Sequence, residues 1–341
     1  MKKQDSKVDI GFVARLAKVS PATVSRTLNH PELVNPATRK KVDSAIRKSG
    51  YIRNRAAQTI HGRRSGTIGI VVPTVSYSIF AEAVQAFNDA VSENGFTLLL
   101  ASHGYDLDAE YEVIRKLLEH RVDGIALTGL DHSPASFKLL EKQNVPVVAI
   151  WNYSATSPLS CIGADNSEAG RCAAEHLLML GHRHIALLFP STSDNDRARA
   201  RRAAAETAIA DAGIEMPEAW NVYSPYSISH SKAVCLELLS QPNRPTALLC
   251  GNDIIAQGAI YAAAKLGISV PRELSIIGIG DFPGSAEIEP GLTTIRIPAR
   301  RIGRSAGLGL VKAIAQEDPQ AIDRDKLDIE LIMRATTAPN L

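Results

Sequence analysis

"VSPATVSRTLN", residues 19–29, decides how the first fifty residues fold. Ser20 offers a side-chain oxygen to the unpaired amides of a helix start. Pro21 suits the first helical position, where its missing N–H costs nothing. Val24 and Leu28 recur at i and i+4 and give the helix one inward face. Ala22, Thr23, Ser25, Arg26 and Asn29 lie toward the other face, so a polar side is left for something outside the chain.

Two further helices flank this stretch. Asp9 is placed to cap "IGFVARLAKV", in which Ile10, Val13, Leu16 and Ala17 share a face. Asn35 and Pro36 open "PATRKKVDSAIRKSG", with Val42 and Ile46 inward and Gly50 as the stop. Two short helices joined by a tight turn at Lys18–Val19, braced by a third, form a helix-turn-helix, whose second helix enters the major groove of DNA. Charge agrees: residues 1–64 hold 15 Lys or Arg against four acids, and the rest of the chain holds 23 against 32. A basic module on a mildly acidic body implies a polyanionic partner for the module alone.

From Thr67 the texture changes to alternating strand and helix signals. "TIGIVV", "FTLLLAS", "DGIALTG" and "VPVVAI" read as buried parallel strands, with helices near 79–94, 107–120 and 135–143. A second series follows: "HIALLF", a helix near 197–213, "VYS", a helix near 229–240, "TALLC", a helix near 253–266, and "LSIIGI". Two such series imply two doubly wound α/β halves with a cleft between them. "LTTIRIP" and the helix after it are expected to return to the first half. "DKLDIELIMRATTAPN" is expected to end as a strand of the body and a short tail.

Composition and motifs exclude several classes. The chain of 341 residues has room for two or three domains, and no apolar run approaches the roughly 18–20 residues of a membrane span. The start, "MKKQDSKVDIGFVARLAK", lacks an apolar signal core, so a cytoplasmic protein is expected. Cys161, Cys172, Cys235 and Cys250 form no C-x-x-C pair and read as reduced thiols, three of them in apolar stretches. No Walker A sequence is present, and no G-x-G-x-x-G lies between a strand and a helix. His176, His182 and His184 form no convincing ligand set, and no Ser/His/Asp arrangement can be assigned. No catalysis, metal or cofactor is expected.

"VARLAKVSPATVSRTLN", "VNPATRKKV" and "GYIRNRAAQTI" together resemble the DNA-binding signature of the lactose/purine repressor (LacI/GalR) family of bacterial regulators, in order and spacing. The resemblance implies a helix-turn-helix domain at 1–52, a hinge helix and linker at 53–66, and a core at 67–341 like periplasmic sugar-binding proteins. Lobe one of that core would span about 67–164 plus 295–335, and lobe two about 165–294. Pro21, Ala22 and Arg26 would face base edges, Arg26 as the main hydrogen-bonding reader. Ser20, Thr23, Ser25, Asn29 and Asn54 would hold phosphates. In the hinge, Ile60 would wedge into a base step, with Arg55, Gln58, His61, Arg63 and Arg64 near phosphates or the groove floor. Lys18 departs from the family, which often has Gly or Asn there, so a left-handed backbone at Lys18 would be strained.

The same resemblance nominates the cleft: Phe80 with Tyr77, Arg199 with Arg197 nearby, Tyr226, Asn252 and Asp281. "IIGIGDF" departs from sugar-responsive relatives, which carry an Asp where this chain has Gly280, followed by Asp281. Losing a carboxylate while keeping two arginines favours an anionic effector, and the Gly-x-Gly-Asp form resembles the gluconate-repressor branch. The expected function is a repressor binding a palindromic operator in double-stranded DNA as a homodimer or larger oligomer, under control of a sugar acid. A neutral sugar or nucleobase effector, or a protein partner, is the alternative for that control. A transport protein would explain the body but not residues 1–64.

Overall fold

The computed structural model describes residues 8–52, 64–316 and 323–340, and the chain divides into two units, Met1–Ser65 and Gly66–Leu341. In the first unit, helices α1 (Ile10–Ala17), α2 (Pro21–Asn29) and α3 (Pro36–Ser49) close over Val13, Ala14, Ala17, Val24, Val42 and Ala45. Each start follows its cap: Phe12 N donates to Asp9 Oδ1, Thr23 N to Ser20 Oγ and Ala37 N to Asn35 Oδ1. Lys18 ends α1 with φ 54° and ψ 47°, the left-handed conformation disfavoured for a side chain with a Cβ. Its N–H satisfies the carbonyls of Ala14 and Arg15 there. A 3₁₀ turn at Pro31–Leu33, which the sequence reading lacks, links α2 to α3.

The second unit carries two sheets of the same winding. The first half runs β1 (Thr67–Val72), α4 (Ser78–Glu93), β2 (Thr97–Ser102), α5 (Leu107–Glu119), β3 (Gly124–Thr128), α6 (Pro134–Gln143), β4 (Val147–Asn152) and β5 (Ser160–Ala164). The second half runs α7 (Asn166–Met179), β6 (Ile185–Phe189), α8 (Asp196–Asp211), β7 (Asn221–Tyr223), α9 (Ile228–Leu239), β8 (Ala247–Cys250), α10 (Asp253–Leu266), β9 (Ser275–Gly280) and β10 (Thr293–Arg296). There follow α11 (Ala299–Ala315), β11 (Arg324–Lys326) and β12 (Glu330–Ile332). The sheets are ordered β2-β1-β3-β4-β5-β11 and β7-β6-β8-β9-β10-β12. All pairings are parallel except β12 on β10. The central strands are apolar on both faces because helices cover both.

Two strands are placed differently from the lobe boundaries expected of the sequence. β10, "TTIR", stays in the second sheet beside β9, and only α11 returns to pack on α4 in the first half. β12 also belongs to the second sheet, although it lies within 295–335. Hydrogen bonding decides both: β10 fills the free edge of β9 in parallel, and β12 fills that of β10 antiparallel. The chain therefore crosses between the halves after β5, after β10 and after β11.

Candidate nucleic-acid interface and ligand cleft

On α2 the inward residues are Val24 and Thr27, both buried, and Thr27 Oγ1 donates back to Thr23 O at 2.8 Å. That fixes the rotation of the helix and turns Pro21, Ala22 and Arg26 to the exposed side, with Ser20 beside them. Thr23, Ser25 and Asn29 are half-buried along the flank. Asn29 Nδ2 donates to Ser25 O at 2.8 Å, and the Thr23 hydroxyl lies 2.9 Å from that of Ser20. The exposed face thus offers two apolar groups and one guanidinium, a surface that fits a base edge by shape plus a single strong donor. Lys18, Lys40, Lys41 and Lys48 surround a groove of about 410 Å³ between the end of α1 and α3, spreading positive charge beyond α2. The hinge residues Asn54, Arg55, Gln58, Ile60, His61 and Arg63 lie outside the described residues.

In the second unit a cleft opens where the carboxyl ends of both sheets face each other, the usual ligand position for such sheets. Tyr77 follows β1, Tyr105 follows β2 and Trp151 lies near the end of β4. Asn195 follows β6, Tyr226 follows β7, Asn252 follows β8 and Gly280 ends β9. Phe80 and Trp151 pack ring to ring at 4.9 Å, and both are buried. Trp151 sits at φ 83° and Tyr105 at φ 65°, conformations rare for bulky residues. Such strain collects at binding sites. Asn252 is held by capping α10, whose Ile255 N donates to its Oδ1 at 3.0 Å.

The cations of the cleft come from α8. Arg197 and Arg201 are four residues apart, so they share one helix face, and both are buried. Arg197 Nη1 donates to Asp196 Oδ1 at 2.8 Å and toward Thr128 O at 3.5 Å. Arg201 Nε donates to Asn166 Oδ1 at 2.7 Å and its Nη1 to Gly251 O at 3.1 Å. Among the described residues no carboxylate lies within ion-pair distance of Arg201, and burial lowers its pKa from the ordinary arginine value. Gly170 on α7 lets α8 come this close, because a Cβ there would strike the backbone carbonyl of Arg201.

Two nominated residues stand elsewhere. Arg199, two positions from each cleft arginine, faces outward, donates to Thr192 O at 2.8 Å and pairs with Asp131. Its place on the cleft is taken by Arg201, which the motif comparison passed over and helical phase would have found. Asp281, at φ 55°, turns away from the cavity to accept from Arg296 Nε and Arg334 Nη2, each at 2.7 Å. Gly280 lines the cavity instead, at φ 140° with the Phe282 ring where a Cβ would stand. Behind it, the Asp253 carboxylate accepts from Thr294 Oγ1, Ser285 Oγ and Phe282 N at 2.6–2.8 Å. Burial raises the pKa of Asp253 in spite of those donors.

Several contacts cross the cleft. Leu130 N and Asn152 Nδ2 from the first half donate to Asp196 Oδ2 at 2.6 and 2.5 Å. Tyr77 Oη donates to Tyr226 O at 2.7 Å, and Asn152 Oδ1 accepts from Asn166 Nδ2 at 2.5 Å. A network thus runs Asp196–Asn152–Asn166–Arg201 through both halves. The histidines considered as ligands do structural work instead: His182 bridges Thr246, Ser275 and Ala338, and His176 meets Thr337. Among the described residues no group of three or more His, Cys, Asp or Glu is placed to hold a metal, and no helix is long and apolar enough to cross a membrane.

Comparison with known proteins finds relatives of both units. Residues 10–54 match the lacI family of bacterial regulatory proteins, and residues 174–337 match a periplasmic binding protein-like domain. The chain is 31% identical over 329 residues to the HTH-type transcriptional regulator GntR of Pseudomonas aeruginosa, covering 95% of this chain and 94% of that protein. It is 33% identical over 309 residues to the HTH-type transcriptional repressor PurR of Aliivibrio fischeri, covering 90% and 91%. A structure of the lac repressor dimer bound to operator and the anti-inducer ONPF is similar with a TM-score of 0.85 at 27% identity, covering 98% of this chain and all of that one.

Proposed function

The chain belongs to the LacI family of bacterial regulatory proteins, and from that premise we propose a repressor that binds a near-palindromic operator as a homodimer under control of a sugar acid. It is a DNA-binding regulator and not an enzyme. Two-fold symmetry places one α2 in the major groove of each half-site. Arg26 reads a guanine by a bidentate contact, Ala22 meets a thymine methyl, and Ser20 and Thr23 hold phosphate.

The observation that carries the effector reading is Arg201. A buried guanidinium without a carboxylate is costly, and an anion entering the cleft relieves that cost. Arg197 stands on the same face, paired with Asp196, and the 280–281 segment adds no carboxylate to the cavity, because Gly280 lines it and Asp281 is held by two arginines. A ligand touching α8 and the Phe80–Trp151 wall changes the balance of the cross-cleft contacts, and with it the relative orientation of the halves. By linkage, operator and effector then alter each other's affinity by the same factor. Calorimetric titration of the full chain with gluconate, galacturonate, ribose and hypoxanthine tests the sugar-acid reading. An acid is expected to bind and to change retention of the protein's own promoter DNA in a gel shift. Tight binding of ribose or hypoxanthine alone overturns it.

A further inference from the structure

The cleft has two chambers of unequal size that share Tyr77, Tyr105 and Tyr226 as a collar. The inner one, about 30 Å³, holds Arg197 and Arg201 against Phe80 and Trp151. That is the space of about one or two waters, enough for a carboxylate but not for the carbon chain behind it. The outer one, about 250 Å³, approaches the lower end of ordinary small-molecule pockets, roughly 300 Å³. Rings of Tyr77, Tyr105, Tyr223 and Tyr226 wall it, and Ser191, Ser193, Asp194 and Asn195 form a polar rim.

Resting on the sugar-acid reading, we infer that the effector is a closed-ring uronic acid, a pyranosiduronate, rather than an open-chain aldonate. Its carboxylate occupies the inner chamber between the two arginines, and its ring, bonded directly to that carboxylate, lies among the tyrosines. A pyranose presents a flat C–H face that packs on the electron-rich face of an aromatic ring. A linear polyol has no such face and loses more torsional freedom on binding. Tyr77 and Tyr226 are fixed in advance. Tyr226 Oη accepts from Asn195 Nδ2 at 3.1 Å, and Tyr77 meets Tyr226 edge-on at 5.7 Å. Tyr105 lies 5.9 Å from Tyr226. The rim supplies donors and acceptors for ring hydroxyls, so the chamber has an apolar wall and a polar lip, as a sugar ring requires.

Calorimetric titration of the full chain with the methyl pyranosiduronates of glucose and galactose, with gluconate, and with neutral methyl glucopyranoside separates the possibilities. At least one methyl pyranosiduronate is expected to bind about tenfold more tightly than gluconate, the scale of a well-placed aromatic contact. Tyr105→Leu should weaken the glycosiduronate more than gluconate and so erase that preference, which an equal loss for both acids would not do. Gluconate binding as tightly as either glycosiduronate overturns the closed-ring inference and leaves the sugar-acid reading standing. Binding of the neutral glycoside alone overturns the sugar-acid reading itself, and binding by none of the four overturns both.

Discussion

Arg26 and Arg201 are the same side chain in opposite circumstances. Arg26 is exposed on α2, next to a proline and an alanine that cannot compete for hydrogen bonds. Arg201 is buried on α8, with Nε and Nη1 committed to Asn166 and Gly251. An exposed arginine keeps its water until DNA arrives, so its binding is ruled by counterion release and falls with salt. A buried arginine has already lost its water, so an incoming anion meets a cation that salt screens little. The first circumstance suits reading one base among many, and the second suits selecting one charge class of small molecule.

The largest effect is expected from Arg201→Met. Truncating one partner of a buried, hydrogen-bonded charge pair costs about 2–5 kcal/mol, so effector binding should fall from roughly thirtyfold to several thousandfold. Arg201→Lys keeps the charge and loses the planar fork, and should fall between the two. Calorimetry on variants whose thermal melting shows a folded core measures this. An Arg201→Met protein that binds the acid as well as the wild type removes the buried cation from the scheme.

Arg26→Ala comes next, with about 1–3 kcal/mol lost on the specific operator and much less on random DNA. Fluorescence anisotropy with both duplexes at one fixed salt concentration reads the difference. Equal losses on the two would make Arg26 a phosphate contact and end its contrast with Arg201.

The two sites differ also in how far the sequence discloses them. The DNA-reading face follows from local rules: caps at Asp9, Ser20 and Asn35 and the Val24–Leu28 stripe fix which side of α2 is exposed. The left-handed Lys18 is foreseeable from the family resemblance, since relatives often carry Gly or Asn there. The cleft depends on longer-range facts. Tyr105, Trp151 and Asn195 come from three different β/α units, and only the strand order brings their loops to one end of the sheets. Trp151's positive φ has no local sequence cue. Arg201 was legible and passed over: the run "DRARARRA" carries arginines at 197, 199, 201 and 202, and one burying face can hold 197 with 201 but not with 199. β10 and β12 were hard to place because strands of three or four residues are assigned by which sheet edge lies open.

A smaller effect is expected from pH. His103, His176 and His182 each have a pKa lowered first of all by burial. The unfolded chain therefore binds protons before the folded one does. Stability is full above the unfolded histidine value of about 6.5 and falls as pH drops below it toward the lower folded values. All three histidines lie in the second unit, and so do both tryptophans, Trp151 and Trp220. Thermal melting followed by tryptophan fluorescence should thus show the core losing stability between pH 7.5 and 5.5. His182→Gln should flatten that dependence while lowering stability at pH 7.5, since His182 ties Thr246 and Ser275 to the Ala338 carbonyl. A melting temperature unchanged over that range would mean the buried imidazoles do not control the core's acid limit.

Arg199→Ala should have the smallest effect and gives the contrast its sharpest edge. Arg199 belongs to the same helix as Arg201 and to the same half of the molecule, yet it shares the exposed condition of Arg26. Its partner Asp131 comes from the other half, so the pair crosses the mouth of the cleft. Both side chains are more than a third exposed. An ion pair so placed contributes about 0–1 kcal/mol, because water and salt screen it and two long side chains must be ordered to make it. Effector affinity in Arg199→Ala should therefore stay within about fivefold of wild type at low salt and converge on it as salt rises. Arg201→Met should show no such convergence. A loss at Arg199 as large as that at Arg201, persisting in high salt, would mean that burial does not distinguish the two arginines. In that case α8 would have to turn by half a revolution when the effector binds.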